Sequence, residues 1–286
     1  MLLYINIGGM IMKRCLSDFT KEEKFLVKDL FLEGYSPEEI SIFLDLSFQE
    51  VIFVLKRMLD GLDIRSIISQ AEIEEEKILI VSDTHIGSKY ENFDYIREAY
   101  RFAHDEQGIK VAVHGGDILQ STFTNVLPQY RNEIDQVEHC VEDYPLYEDM
   151  INYILLGNHD YNTLKKDPFY LQRLMARPDF NILGFKRAYL TWLKDLISIY
   201  HTTKKYPLSI PPLDVVLNLK GHSHQLSYNK QSSITIPTLS DDMLQHPLAR
   251  PGFLIGTKKK DELQLEAFYF KDSLHYGGKI LTKKLK

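Results

Sequence analysis

Cysteine is scarce in this chain, with only Cys15 and Cys140 among its 286 residues. Two such distant thiols form no short-spaced metal motif and suggest neither a disulfide scaffold nor an oxidising compartment. The sequence also lacks an uninterrupted apolar run of about 18 residues, the length that would span a bilayer. Lys13 and Arg14 follow the apolar start of the chain, whereas a signal peptide carries its positive charge first. We therefore expect a reduced, cytoplasmic protein with no membrane contact.

An excess of positive charge is missing as well. The 34 Lys and Arg residues are outnumbered by 40 Asp and Glu, for a formal net charge of -6. Broad binding of nucleic acid through bulk charge usually needs a basic face, so this balance argues against it. The composition, 44% hydrophobic and 26% charged, is that of a globular protein, and the length allows about two domains.

Residues 13–62 predict a small all-α domain of three helices. Thr20 and Glu23 form a capping box before the first helix, and Ser36 and Ser47 are expected to cap the next two. The segment GYSPEEISIFLDLSFQEVIFVLKRM resembles the helix-turn-helix of bacterial response regulators and sigma-factor C-terminal regions.

That resemblance implies DNA contacts from the exposed side of the third helix, with Gln49 and Arg57 among the contacting residues. Eight basic against eleven acidic residues between Lys13 and Gln70 weaken this interpretation, because phosphate contacts supply most non-specific affinity. A module used for packing or dimerisation is the equal alternative.

Residues 63–77 are predicted to be a linker, residues 78–275 a layered α/β domain and residues 276–286 a basic tail. In the α/β domain, short β-branched runs alternate with helical stretches, and ligand sites in such folds gather at the carboxyl ends of strands. Five of the predicted strands end in polar residues: KILIVSD, KVAVHGGD, YILLGNHD, LISIYH and VVLNLKGHSH.

These strand ends carry carboxylates, imidazoles and one amide. They are Asp83 and His85, then Asp117, Asn158 to Asp160, His201, and finally His222 and His224. Each cluster alone is weak, and His114 is expected to be structural. Together they form a mixed oxygen and nitrogen ligand set that suits Mn, Fe or Zn. Burying them without a metal would cost a few kcal/mol for each unpaired group.

In this order the blocks D-T-H, G-D, G-N-H-D, H and G-H-S-H resemble the five signature blocks of the calcineurin-like metallophosphoesterase superfamily, over Lys77 to Thr257. The resemblance implies a four-layer α/β/β/α sandwich, here with the small trihelical domain in front. Thr202 follows the fourth block where the family often has Gly, but His201 is the only histidine between His159 and His222.

Carried over block by block, the resemblance implies two divalent ions, with manganese as first choice and iron or zinc as alternatives. The implied ligands are Asp83, His85 and His224 for the first ion, Asp117 for both, and Asn158, His201 and His222 for the second. His159 would act in catalysis without binding an ion, and Asp160 would orient it.

The implied reaction is hydrolysis of a phosphate ester by a hydroxide that bridges the two ions. VSDTHIGS resembles the first block of double-strand-break repair nucleases, so we favour a phosphodiesterase acting on nucleic acid or a nucleotide. A phosphomonoesterase is the alternative, and its dianionic substrate would need extra cations, for which Lys89, Arg131, Lys165 and Lys166 are candidates. A regulatory DNA-binding protein with a non-catalytic metal site is the third possibility.

Overall fold

A computed structural model describes residues 6–7, 10–11, 19–32, 37–47, 50–51, 54, 70–122, 132–164, 166–185, 187–201, 215–228, 233–241 and 250–285. No helix in these ranges is both long enough and apolar enough to cross a membrane.

The amino-terminal part contains a two-stranded ribbon, β1 (Asn6–Ile7) with β2 (Met10–Ile11), and two helices, α1 (Lys21–Leu32) and α2 (Pro37–Phe43). The predicted capping box is present: the Thr20 N–H donates to Glu23, and the Glu23 N–H donates to Thr20 Oγ1 at 3.0 Å. Residues 50, 51 and 54 of the third predicted helix are helical, whereas Gln49 and Arg57 lie outside the described residues.

Seven strands form the larger sheet. In the order β15-β14-β13-β4-β5-β6-β7, the last four are parallel and the first three add on antiparallel. The strands are β4 (Lys77–Val81), β5 (Val111–His114), β6 (Ile151–Leu156), β7 (Phe180–Phe185), β13 (Gly252–Lys259), β14 (Glu262–Phe270) and β15 (Leu274–Lys284). The central strands β4 and β5 are almost wholly buried, as expected of parallel strands covered on both faces.

The second sheet has six strands in the order β11-β12-β10-β9-β8-β3. The strands are β3 (Gln70–Ile73), β8 (Arg187–Trp192), β9 (Asp195–Tyr200), β10 (Leu217–Lys220), β11 (Ser227–Tyr228) and β12 (Ser233–Thr235). Apolar residues of both sheets, such as Ile78 and Val113 from one and Ile199 and Leu219 from the other, share one core. The sheets therefore pack face to face.

Helices cover the outer face of the seven-stranded sheet. They are α3 (Phe93–Arg101, continued by a π-helical turn over Phe102–Glu106), α4 (Glu133–Asp143), α5 (Asn158–Leu164) and α6 (Pro168–Met175). Side chains of Asn92, Asn132 and Asp167 cap α3, α4 and α6. The buried apolar residues of the described helices belong to the core on this face. The fold is thus mixed α/β with two sheets, and the described helices form one of the two predicted outer layers.

Two predicted segments differ in the structure. Part of the predicted linker forms β3, which pairs in parallel with β8. Most of the predicted basic tail is β15, paired along β14, because Ile280 and Leu281 pack against the core between the sheets.

Hydrogen bonds and an ion pair join the two sheets at the edge opposite the polar clusters. Lys258, only 1% exposed, donates from Nζ to the Leu193 carbonyl at 2.8 Å and lies 2.8 Å from a carboxylate oxygen of Asp195. The Trp192 indole N–H donates to the Glu75 carbonyl at 2.7 Å. These bonds join the end of β13 and the start of β4 to the β8–β9 turn.

Candidate metal centre

The polar strand ends meet at one edge of the sandwich, as expected for the carboxyl ends of parallel strands. From the seven-stranded sheet come Asp83 and His85 after β4, Asp117 after β5, and Asn158 and His159 after β6; from the six-stranded sheet come His201 after β9 and His222 and His224 after β10. The seven-stranded sheet therefore supplies five residues of the cluster and the six-stranded sheet three.

Three overlapping groups in this cluster could each hold an ion, with the ligand atoms of each group within 4.8 Å of one another. The groups are Asp83, His85 and His224; His85, Asp117 and His159; and Asp117, His201 and His222. The first and third groups contain residues that the family resemblance implies for separate ions. Asp117 and His85 each belong to two groups, so the groups are joined.

Asp83 is completely buried and held by several donors. Its carboxylate accepts hydrogen bonds from Ser82 Oγ at 2.5 Å and from the His222 N–H at 3.0 Å, while its other oxygen lies 3.3 Å from His224 Nε2. Burial alone would raise the pKa of Asp83, but the neighbouring imidazoles of His224 and His201 lower it well below its usual range.

Asp117 has both carboxylate oxygens engaged. One accepts the backbone N–H of His159 at 2.8 Å, and the other lies 2.9 Å from His201 Nε2. Burial favours the neutral acid, but His201 outweighs it and holds the pKa of Asp117 far below its usual value. Against its own burial, the pKa of His201 is raised to about 9, chiefly by Asp117.

The imidazoles leave buried nitrogens without hydrogen-bond partners. His201 donates from Nδ1 to the Gly115 carbonyl at 2.8 Å, which directs its Nε2 towards the carboxylate of Asp117. Among the described residues, His85 Nδ1 and His222 Nδ1 are buried without a hydrogen-bond partner. Buried imidazole nitrogens without partners are costly, and nitrogen and carboxylate donors together suit Mn, Fe or Zn. The residues present therefore fit divalent ions.

Glycines before the ligands allow the backbone to approach them. A Cβ atom at Gly157 would lie 2.2 Å from Asp117 Oδ1, and one at Gly221 would lie 2.6 Å from His201 Nδ1. Any side chain at these two positions would displace a carboxylate or an imidazole. The close contacts of the backbone with Asp117 and His201 thus explain why the G-N-H-D and G-H-S-H blocks begin with Gly.

Five of the clustered residues have left-handed backbone conformations. Their φ angles are 54° for Asp83, 47° for His85, 54° for Asp117, 76° for His222 and 56° for His224. Such conformations cost about 1 kcal/mol or more for each residue other than Gly and tend to concentrate at functional sites. The chain turns sharply after each strand and so directs these side chains towards one another.

His159 is held in a defined orientation. Its Nδ1 donates to the Gln120 carbonyl at 2.5 Å, so Nε2 is the nitrogen that faces the cluster, 4.0 Å from a carboxylate oxygen of Asp117. A fifth of its side chain is exposed, whereas the side chain of His201 is fully buried. His159 is therefore accessible from solvent, while the hydrogen bond of Nδ1 fixes the orientation of its ring.

Asp160 does not orient His159 directly, contrary to the expectation. Its buried carboxylate accepts three backbone N–H groups, those of Ile118, Leu119 and Gly157, at 3.2, 2.8 and 2.8 Å. Asp160 follows His159 on helix α5, so its side chain points to a different side and ties together the loops after β5 and β6. Burial and Asp117 raise the pKa of Asp160 to about 7.

Other residues supporting the cluster were missed in the sequence. Thr238 Oγ1 donates to the Asp83 carbonyl at 2.7 Å, and Gln136 of α4 accepts the Ser121 N–H at 2.8 Å. Gln120 acts through its carbonyl, a group that every residue has, so no sequence signal marks it. Ser82 could have been noticed, because it directly precedes Asp83.

His114 is structural, as expected. Its Nδ1 accepts the Gly116 N–H at 3.2 Å, and its Nε2 lies 3.2 Å from Thr84 Oγ1, which in turn donates to the Ile118 carbonyl. The neutral imidazole thus bridges the turns after β4 and β5. Burial lowers the pKa of His114 to about 3.

The candidate cations for a dianionic substrate are only partly described. Lys166 contacts the Glu133 carboxylate and Thr122 Oγ1, so a carboxylate already balances its charge. Lys89 is exposed, and its Nζ lies 4.7 Å from the centre of the Tyr90 ring. Arg131 and Lys165 lie outside the described residues.

Comparison with known proteins gives one family. The model of the calcineurin-like phosphoesterases matches residues 76–267. No curated protein matches the chain.

Among solved structures, Vps29 from Entamoeba histolytica, complexed with Zn²⁺, is 11% identical with a TM-score of 0.42, and the match covers 73% of this chain and 99% of that one. Vacuolar protein sorting 29 from Cryptosporidium parvum is 14% identical with a TM-score of 0.42, over 73% and 98% of the two chains. A predicted phosphoesterase from Streptococcus pneumoniae is 11% identical with a TM-score of 0.35, over 71% and 97%.

Proposed function

The chain belongs to the calcineurin-like phosphoesterase family, and from that premise we propose that it hydrolyses phosphate esters at a site for two divalent ions. The observation that carries the proposal is that two ligand groups, one with Asp83 and one with His201, lie side by side and are linked through His85 and Asp117, whose ligand atoms are within 4.8 Å of each other. A cluster of this kind can hold two ions close together when a carboxylate is shared between them.

The proposed ligands are the residues of the first and third groups, together with Asn158, which the family resemblance implies. Asp83, His85 and His224 would hold one ion, Asp117 would be shared, and Asn158, His201 and His222 would complete the other. Asn158 follows Gly157, whose backbone lies against Asp117, so its position suits the second ion. Manganese is the proposed metal, because carboxylate and imidazole donors without thiolate suit it.

These ligands would hold divalent ions, whose chemistry would provide an activated water at neutral pH and offset the charge of the phosphate. The contribution of the chain itself is clearest at His159. With Nδ1–H fixed on the Gln120 carbonyl, a protonated ring presents Nε2–H to the cluster and can donate this proton to the leaving oxygen. General acid catalysis of this kind typically contributes 10²–10⁴-fold.

For the substrate, we propose a phosphodiester of a nucleic acid or a nucleotide. A diester carries one negative charge, and the pairing of Lys166 with Glu133 removes one of the cations that a dianionic monoester would need. A specific observation keeps the monoesterase as second candidate: Lys89 is exposed four residues after His85 and has no carboxylate partner among the described residues.

The deciding experiment compares bis-p-nitrophenyl phosphate with p-nitrophenyl phosphate, using protein stripped of metal and refilled with Mn²⁺. Single- and double-stranded DNA are added as competitors. We expect faster hydrolysis of the diester and inhibition by DNA. Preference for the monoester without competition by DNA would overturn the proposed substrate. Absence of both activities would overturn the proposal that the protein is a phosphoesterase.

A further proposal is that the amino-terminal helices bring the site to DNA. The capping box of α1, the left-handed turn at Asp45 and the helical residues after Ser47 agree with a helix-turn-helix. Substitution Arg57→Ala should weaken binding of double-stranded DNA without changing hydrolysis of the small diester. Unchanged DNA binding would favour a packing module instead.

A further inference from the structure

Two tyrosines from opposite sheets face the same gap at the open edge of the sandwich. Tyr269 on β14 follows the alternation of Leu265 and Ala267 and packs against the core between the sheets. Tyr228 on β11 is paired with Ile234 of β12, which is fully buried in that core. Because paired residues on neighbouring strands share a face, both tyrosines project between the sheets.

This gap lies beside the metal centre. Gly252, the strand partner of Tyr269, donates its N–H to the Thr238 carbonyl at 2.8 Å, and Thr238 Oγ1 donates to the Asp83 carbonyl at 2.7 Å. Tyr228 follows His224 by four residues, a span of at most about 14 Å. Both tyrosines are thus at the edge of the sandwich that carries the cluster.

An exposed arginine borders the gap. Arg250 precedes Gly252 by two residues, is exposed and forms no ion pair with any described residue. Four other arginines of the described ranges are paired with carboxylates, namely Arg97, Arg101, Arg173 and Arg177. Burial raises the pKa of Tyr269, the charge of Arg250 lowers it and Tyr228 raises it further, so Arg250 and Tyr228 both lie near Tyr269.

We propose that Tyr228, Tyr269 and Arg250, together the tyrosine cleft, bind the nucleoside next to the scissile phosphate. The inference rests on the proposed phosphodiesterase function and names the part of the substrate that this surface recognises. The ring of Tyr228, with 60% of the residue exposed, offers an aromatic face on which a base can stack. The guanidinium of Arg250 suits a phosphate oxygen of the same nucleotide.

The test uses two diesters with the same charge and leaving group, thymidine 5′-(p-nitrophenyl phosphate) and ethyl p-nitrophenyl phosphate, so that they differ only in the nucleoside. For Tyr228→Ala, we expect the ratio of their kcat/KM values to fall about tenfold, because a base that stacks on an aromatic ring gains affinity of about this size. Tyr228→Phe should retain the ratio of the wild-type protein.

Tyr276→Ala is the matched control. Tyr276 is 57% exposed on β15, but its ring contacts Phe268 on the opposite face of the same sheet. We expect this substitution to leave both rates unchanged. A ratio that is the same in Tyr228→Ala and the wild type would overturn the tyrosine cleft, even though the protein is a phosphodiesterase.

A binding measurement separates the cleft from the activity. The dissociation constant of thymidine 5′-monophosphate, measured by calorimetry with the metal-loaded protein, should rise about tenfold in Tyr228→Ala, whereas that of inorganic phosphate should stay the same. If the wild type hydrolyses neither diester but binds thymidine 5′-monophosphate through Tyr228, the proposed function fails and the cleft stands. Equal binding of the nucleotide by both proteins overturns the cleft.

Discussion

The Nε2 atoms of His85 and His224 lie 3.1 Å apart, although the two residues are 139 positions apart and follow strands of different sheets. The same imidazole of His224 is 3.3 Å from a carboxylate oxygen of Asp83. Two imidazole nitrogens at this distance either share one hydrogen or direct their lone pairs to a common point. An ion at that point would satisfy both rings and the carboxylate together.

Metal binding should therefore stabilise the fold through His224. At 100 times the dissociation constant, a bound ion adds about 2.7 kcal/mol to the free energy of unfolding, which in a domain of this size raises Tm by about 5–10 °C. Thermal unfolding with and without Mn²⁺ measures the shift in wild type and in His224→Ala. The variant should lose most of the Mn²⁺-dependent increase in Tm. An equal increase in both proteins would show that His224 is not a ligand.

Substitutions His159→Ala and Asp117→Ala should separate catalysis from metal binding. His159→Ala is expected to keep both ions and lose about 10²–10⁴-fold in kcat, whereas Asp117→Ala is expected to lose the ions themselves. Metal content and kcat measured on the same preparations check this. His104→Ala, which changes a histidine that pairs with Asp149 on the helical face, is the control. Loss of metal in His159→Ala would indicate that His159 binds an ion.

Gly157→Ala should damage the metal centre although it replaces none of the proposed ligands. The new methyl group would lie 2.2 Å from Asp117 Oδ1 and 2.7 Å from the Asp117 nitrogen, so the carboxylate must move. We expect reduced metal content and a free energy of unfolding lower by about 1–3 kcal/mol.

The control is Gly108→Ala, where the added Cβ meets nothing within 4 Å although φ is +66°. It should lose some stability through backbone strain but keep its metal. If both variants retain the same metal content, close approach at Gly157 does not matter for binding.

The buried His114 should make stability depend on acid. Its pKa is about 3 in the folded protein and about 6.5 when unfolded. Between these values the unfolded chain binds the extra proton, so the free energy of unfolding falls as pH decreases below about 6.5, with a slope for this group approaching about 1.4 kcal/mol per pH unit.

Urea unfolding of chelator-treated protein at pH 7.5 and 5.5 measures this effect. His114→Gln can keep hydrogen bonds to Gly116 and Thr84 but has no group that titrates in this range. The variant should therefore lose less stability than the wild type between the two pH values. Parallel losses in both proteins would show that His114 is not the group responsible.

Much of the architecture could be predicted from local patterns. Ser47 and Glu50 form the expected cap of the third helix, with the Ser47 N–H donating to Glu50 at 2.8 Å. The strands that carry Asp83, Asp117 and His201 end where the polar residues begin. These features are encoded within a few residues, because capping, alternation and strand ends are local effects.

Features that depend on distant pairing could not be predicted. Strand β13 joins β4 across more than 170 residues, and β15 has the composition of a solvated basic segment. The partner of His159 is a backbone carbonyl, and Asp160 binds backbone N–H groups. Backbone groups are the same at every position, so such contacts leave no mark in a sequence.

The hydrogen bonds around Lys258 and the metal centre lie at opposite ends of the same sandwich. At one end, the two sheets are joined by hydrogen bonds of Lys258 and Trp192. At the other, the proposed ligands Asp83, His85 and His224 come from both sheets, so an ion bound by them would cross-link the sheets. When this ion is removed, we expect the backbone amides of β9 and β10 to exchange their hydrogens faster, because the cross-link is lost. Metal binding would then hold the two sheets together as well as serve the proposed reaction.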